Sequence, residues 1–456
     1  MAENEAGIEE VELDDARVEA IRAAVEAGDD ALVLRLMEPL HAADIADFLE
    51  QIDQRERRDF LAIYAGEIDG DLLSEIDETI REEVIESLPV SVVAEAVRDL
   101  DTDDVVDILE DLEAPAQGRI LDALDLADRV AVEQAMAYPE GSAGRLMQRE
   151  VVVAPEHWTV GDAIDHMRGD VVLPDQFYHV ILVDPRMKPL GYVTLGRILS
   201  ARRDVALKDL SEDSFRTVEA TEDEEEIAYI FNQYHLISCP VVDAGGRLVG
   251  VITIDDAMNV LDEAHEEDML RLAGVGQEAS VLDGPFATVR QRLPWLVVNL
   301  FTASISAFVI SRFEATIAAI VALAALMPIV ASTGGVAGTQ SLAVAVRALA
   351  ARDLTASNAR RVVLRELAAG AMNGVALAVV IGLAGWGLFG DPWIGAVLAA
   401  AMIVNQIVAA LGGVLVPLTM DRMGLDPALA SGTFVTTLTD VMGFLAFLGF
   451  ATLVLI

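Results

Sequence analysis

One carboxylate, Asp440, stands within the run 427–456, which carries no other charged side chain. Thr436 and Thr437 precede it by one helical turn, so in a helix their hydroxyls share its face. An ionised group in so apolar a run costs a few kcal/mol on insertion scales and ordinarily faces a cavity, a partner or an ion. The chemistry this suits is the holding of a hydrated divalent cation. Magnesium keeps several of its waters and needs few direct protein ligands. A single carboxylate does not neutralise such an ion, whereas two related by a dimer axis do. Two other readings of Asp440 are a proton-coupling acid and a protonated carboxyl bonded to a neighbouring helix. Gly335 and Gln340, in the small-residue run Gly334–Gln340, extend the candidate ion path. So does Asn405, although a polar residue in an apolar helix is equally suited to gluing helices together.

The elements that must position these residues are membrane spans. Uncharged stretches run over 293–311, 315–346, 367–390, 392–420 and, apart from Asp440, 427–456. Each reaches the roughly 20 residues needed to cross a bilayer core. With a cytosolic N-terminus, the loops carrying Arg347 to Arg365 and Arg422 lie inside, as do Arg290 and Arg292, and only Arg312 lies outside; this agrees with the positive-inside rule. Pro328 and Pro417 free backbone carbonyls that must face protein or water rather than lipid.

Ahead of the spans the chain is strongly acidic. Over 290–456 nine arginines stand against seven acids, so residues 1–289 carry −46 of a formal net charge of −44. Such a surface repels nucleic acid and anionic lipid and concentrates cations. Lys188 and Lys208 are the only lysines, a bias that fits a salt-rich cytoplasm in which screening tolerates self-repulsion. Acids that would face one another are Asp104 and Asp107, Asp223 and Glu225, Asp256, and Glu263, Glu267 and Asp268. Bridging by divalent ions would favour a compact, closed arrangement of the parts that carry them, and loss of the ions would let those parts separate. For each of these residues singly, a solvated high-salt surface is an equal reading. The lone Cys239 excludes an internal disulfide and reads as a small buried residue. The acidic segment from Met1 to Asp15 lacks an apolar leader.

Periodicity divides the soluble part. Residues 16–137 repeat apolar positions at three and four. The stretch Asp44-Ile-Ala-Asp-Phe-Leu-Glu-Gln-Ile-Asp53 returns as Asp104-Val-Val-Asp-Ile-Leu-Glu-Asp-Leu-Glu113, which predicts an all-α superhelix of stacked short helices. From 138 to 255 strand-like runs (Val151–Val153, Val180–Val183, Pro240–Val242) alternate with short helices. Two halves end in Pro189-Leu-Gly-Tyr-Val-Thr194 and Arg247-Leu-Val-Gly-Val-Ile-Thr253. This α/β region resembles a tandem pair of CBS domains. In that likeness Thr253 and Asp256 would hold the phosphate and ribose of an adenine nucleotide such as ATP; the first half has Gly191 and Thr194 but Arg197 in place of the acid, and an empty cleft is the alternative. A charged connecting helix and linker over 256–289 leads to the transmembrane domain, 290–456.

The order of these parts, with Tyr138-Pro-Glu-Gly-Ser-Ala-Gly-Arg-Leu-Met147, Arg292-Leu-Pro-Trp-Leu-Val-Val-Asn-Leu300, Met327-Pro328, Gly334-Gly-Val-Ala-Gly-Thr-Gln340, Arg365-Glu366 and Ala430-Ser-Gly-Thr-Phe-Val-Thr-Thr-Leu-Thr-Asp440, resembles the MgtE family of magnesium channels. The resemblance implies a homodimer with a central pore, five spans per subunit, Asp440 as the pore carboxylate, and cytosolic domains that close the pore when internal magnesium is high. Val336 stands where the family often has asparagine, so a polar pore contact there is not implied. The competing expectations are transport of another divalent cation such as Co2+ or Mn2+, an ion-coupled carrier, and a membrane-anchored sensor that transports nothing. An enzyme is not expected, because the chain lacks a Walker-type loop, an HExxH pair and a Gly-x-Ser-x-Gly elbow.

Overall fold

A computed structural model of the chain describes residues 13–169, 173–174, 176–211, 215–276, 279–280, 284–429 and 431–456. Residues 1–12 of the acidic tail lie outside them. The chain divides into two units, Met1–Ala264 and His265–Ile456.

Short helices from Asp15–Ala27 to Leu126–Ala135 open the first unit and share one apolar core that runs from Ile21 to Ala135. Asp14, Asp29, Asp53, Asp69 and Asp77 each cap a helix N-terminus through the side chain, which satisfies otherwise orphaned N–H groups. Part of the acidity is therefore helix punctuation. The internal repeat has a structural counterpart. Arg57 donates to the carbonyls of Leu49 and Ile52, and Gln117, at the equivalent place, donates to those of Leu109 and Leu112. Each closes the C-terminal end of the preceding helix and so fixes the stacking of neighbours.

Two three-stranded sheets follow. The first is β1 (Val153–Pro155), β2 (His179–Val183) and β3 (Pro189–Thr194); the second is β4 (Val218–Glu219), β5 (Ser238–Val242) and β6 (Leu248–Thr253). In both, the first strand is parallel to the second and the second antiparallel to the third, with a register shift at the same place, Leu182/Val183 and Val241/Val242. The expected strand Val151–Val153 begins two residues later, at Val153. Cys239 is buried in the core of the second half.

The halves meet where His179 Nδ1 lies 2.6 Å from Ser238 Oγ, with the imidazole edge-on to Tyr192 at 4.3 Å. Burial lowers the His179 pKa to about 4. The unfolded chain therefore takes up a proton near pH 6.5 that the folded chain refuses. This stability term is whole above pH 6.5 and is lost as pH falls towards 4, by up to about 3 kcal/mol. His179→Gln keeps a hydrogen-bonding group without the charge. Its melting temperature should fall less than that of the wild type between pH 7 and pH 4.5, which thermal unfolding of the two proteins side by side measures.

The connecting helix runs over Ile254–Leu272, directly from β6. Among the described residues of the second unit five helices are long and apolar enough to cross a membrane: a first span, Pro285–Ser311; a second, Ala322–Ala350; a third, Ala359–Phe389; a fourth, Pro392–Arg422; and a fifth, Ser431–Leu455. The first and third extend beyond their uncharged runs, because the helix continues through Arg290 and Arg292 and through Arg360 to Glu366. The stretch 315–346 is not one helix. A short helix, Glu314–Ala319, ends at Ile320 in a non-helical conformation (φ −132°, ψ 84°) before the second span starts, and the β-branched Ile320 leaves the helical region at little cost. The fourth span is the most enclosed, with Leu398, Ala401 and Ala409 wholly buried.

Candidate functional site

One face of the second span, Pro328, Ala331, Ser332, Gly335, Val336, Thr339, Gln340 and Ala343, forms with Thr436 and Asp440 of the fifth a groove of about 790 Å³. These positions recur at three and four, so they are a single helix stripe. The opposite stripe explains its orientation. A Cβ on Gly334 would lie 2.1 Å from Asn405 Nδ2, and one on Gly338 would lie 2.6 Å from Val435 Cγ1. Small residues thus press the second span against the fourth and fifth, and the polar stripe faces away from that packing.

Within the groove, Thr436 Oγ1 donates to the Gly432 carbonyl at 2.9 Å and Thr339 Oγ1 to the Gly335 carbonyl at 3.0 Å. With their hydrogens engaged, both oxygens present lone pairs, which suits a cation and its waters. Gln340 and Gly335 share this wall. Thr437 does not line it; its hydroxyl donates to Thr433. Nor does Asn405, which is 0 % exposed and donates from Nδ2 to the Val330 carbonyl at 2.8 Å. It serves the gluing role, beside Gln406, which donates to the Thr333 carbonyl. Ser332 and Thr339 were missed as candidates, although their spacing from Gln340 and Val336 could have found them. Because Asn405 fills the space over Gly334, Gly334→Ala should destabilise the transmembrane unit by about 1–3 kcal/mol, seen as a lower melting temperature of the detergent-solubilised protein.

In the first unit acids from three elements converge: the helix Thr102–Glu110, the start of the helix Glu224–Tyr234, and the connecting helix. Burial, followed by the Asp256 and neighbouring carboxylates, raises Asp104 to about 7. Burial raises Glu263 to about 7, with Asp107, Glu224, Glu78 and Asp111 adding repulsion. Glu224 reaches about 7 by burial and Glu110. Asp256 reaches about 6 by burial, against a hydrogen bond from Thr253 that lowers it. Asp103, buried beside Asp256, is held well above the usual carboxylate range. These are carboxylates crowded without enough positive charge. Among the described residues no three His, Cys, Asp or Glu side chains stand close enough to hold a metal ion together.

Other predicted ligands have different engagements. Asp107 pairs with Arg81 at 2.9 Å, and Arg81 also pairs with Asp111. Asp223 caps its helix by accepting from Glu225 and Glu226 N–H groups. Glu225 is exposed in the first turn of that helix, whereas Glu224 turns into the cluster. Glu267 pairs with Arg271 at 2.7 Å. Burial and Asp426 raise the pKa of Asp268. At the two ends of the helix Thr102–Glu110, Arg145 pairs with Glu110 at 2.6 Å and Glu150 accepts from Thr102 Oγ1 at 2.8 Å, so attraction holds this joint at both ends while the acids load it between them. At the candidate nucleotide site the Thr253 hydroxyl is already donated to Asp256, and Gly250 is required by packing: a Cβ there would lie 2.7 Å from both the Gln148 carbonyl and Met147 Sδ.

The chain matches family models for an MgtE divalent cation transporter over 327–450, an MgtE intracellular N domain over 40–141, and CBS domains over 143–204 and 207–263. A magnesium transporter MgtE of Thermus thermophilus is 30 % identical over 96 % of this chain and 98 % of its own length. The chain belongs to the MgtE family. A second magnesium transporter MgtE, from Enterococcus faecalis, is 33 % identical over 71 % of each chain, and a third, from Bacillus subtilis, is 27 % identical over 91 % of this chain and 92 % of its own. Among solved structures, the cytosolic domain of the Mg2+ channel MgtE in complex with ATP aligns with a TM-score of 0.48 and 27 % identity, over 53 % of this chain and 99 % of that one. This MgtE protein is a multi-pass membrane protein with an all-α N-terminal domain and a CBS pair on the cytoplasmic side.

Proposed function

We propose that this MgtE protein carries magnesium across the membrane through the groove between its second and fifth spans, with Asp440 as the charge that holds the ion. The observation that supports this most directly is the convergence of Asp440, Thr436, Gln340 and Gly335 on one wall. The wall is one-sided, built from two helices and open opposite them. A second copy facing it across a two-fold axis would complete a pathway and supply the second carboxylate that a divalent ion requires. The pore is therefore read as belonging to a homodimer.

Gating is read from the cytosolic acids. Asp104, Asp256, Glu224 and Glu263 repel one another in the assembled first unit, and divalent ions bound among them, largely through water, would stabilise that assembly. A nucleotide at Thr253 and Asp256 would have to displace their mutual hydrogen bond, so divalent ions are the ligand favoured for Asp256.

The test is tracer flux into vesicles reconstituted with the full chain. Uptake of magnesium that falls when magnesium is raised on the cytosolic face supports pore and sensor together. No uptake from correctly folded protein would instead favour a non-transporting sensor. Competition by Co2+ and Mn2+ defines the selectivity, and dependence on an imposed proton or sodium gradient would mark a coupled carrier.

A further inference from the structure

The last turn of the connecting helix carries a cation that the acidic cluster lacks. Arg271 Nη2 lies 2.7 Å from Glu267 on the same helix, and its Nη1 lies 2.7 Å from Asp426 in the loop between the fourth and fifth spans. The Arg271 side chain is 17 % exposed and that of Asp426 28 %, so the pair is shielded enough to count energetically. Beside it Leu272 packs against Leu342 and Val346 of the second span, Ala428 and Val435. The Leu272 carbonyl lies 3.4 Å from where a Cβ on Gly432 would be. The Gly432 carbonyl in turn accepts the Thr436 hydroxyl that lines the groove. The seat of the helix end is thus one turn from the ion path on the same span.

We infer that Arg271 is a tethered cation that latches the connecting helix to the loop before the fifth span, holding this joint closed without a divalent ion. Metal sensing then falls to the upper part of the same helix, at Asp256 and Glu263, while Glu267, Asp268 and Asp426 are served by the guanidinium. The inference rests on the proposed gating by the cytosolic acids, two of which, Asp256 and Glu263, stand on the connecting helix. A guanidinium can bridge two carboxylates at once, and removing it takes away the cation that pairs with both Glu267 and Asp426.

The experiment is magnesium flux in vesicles containing the full chain, at low and at high cytosolic magnesium, for wild type, R271Q, D426N and the exchange R271D/D426R. R271Q and D426N should each raise the flux that persists at high magnesium by at least about threefold, and the exchange should return it to within about twofold of wild type, because only the pair's charges are restored. Closure of R271Q as complete as that of wild type would overturn the latch. So would an exchange variant that closes no better than R271Q, which also identifies a merely structural role. Failure of the gating reading is separately visible: wild type itself would then show no response to cytosolic magnesium.

Discussion

Asp440→Asn should lower magnesium flux by about 100-fold or more, with protein folded and inserted at wild-type levels. A divalent ion about 5 Å from a carboxylate, at an effective dielectric constant of about 20, is attracted by roughly 7 kcal/mol. If rearranged water recovers two-thirds of this, about 2 kcal/mol is lost per carboxylate, a factor of about 30 in occupancy. A pathway with two copies of the residue loses more. Thr436→Val, which removes an oxygen but no charge, should cost only about three- to tenfold. Thr437→Val should change flux little, because that hydroxyl lies off the groove. Initial rates of isotope uptake at fixed magnesium measure all three. Flux within twofold of wild type for Asp440→Asn would remove this residue from the ion path.

The ordering of these three effects shows how far the residues alone carried the reading. Asp440, Thr436, Gln340 and Gly335 share the groove because three- and four-residue spacing on a helix needs no tertiary information. Asn405 and Thr437 required it. Whether a polar side chain in an apolar helix faces a path or a neighbour depends on what crosses it, and for Asn405 the crossing surface is Gly334 on a distant stretch of chain. The spans were legible as gaps between charges, but not where a helix continues through arginines or breaks at Ile320. In the soluble part the repeat predicted stacked helices, yet the roles of Arg57 and Gln117 at the seams emerge only from packing. The acids were hardest. With carboxylates in every stretch, nothing local distinguishes Glu225, which faces solvent, from Glu224, which enters the cluster, or Asp107 and Glu267, which arginines neutralise, from Asp104 and Glu263, which burial and neighbouring acids raise to about 7.

The combined variant Asp104→Asn, Asp256→Asn, Glu263→Gln should be the most strongly altered in regulation. Its flux should become nearly independent of cytosolic magnesium, with the ratio between low and high magnesium falling to within about twofold. These three groups come from two elements, carry raised pKa values of about 7, 6 and 7, and owe the shift to burial and to one another's neighbourhood. Amides of the same shape remove both the repulsion that separates the parts and the charge that attracts the ion. A ligand shifts an equilibrium only by its differential affinity for the two states, so with the ligating charge gone magnesium has no preference left to exert. The same loss should appear without transport. Magnesium should slow proteolysis of the wild-type first unit in the full chain, because it binds the assembled form, and should leave the cleavage rate of the variant unchanged. The pair of Arg145 with Glu110 is left intact, so the helical domain keeps this attachment to the CBS pair. A variant that still closes at high magnesium, with protection by magnesium intact, would place the sensor elsewhere among the carboxylates. Loss of protection with flux regulation retained would mean that this cluster binds the ion but does not govern the groove.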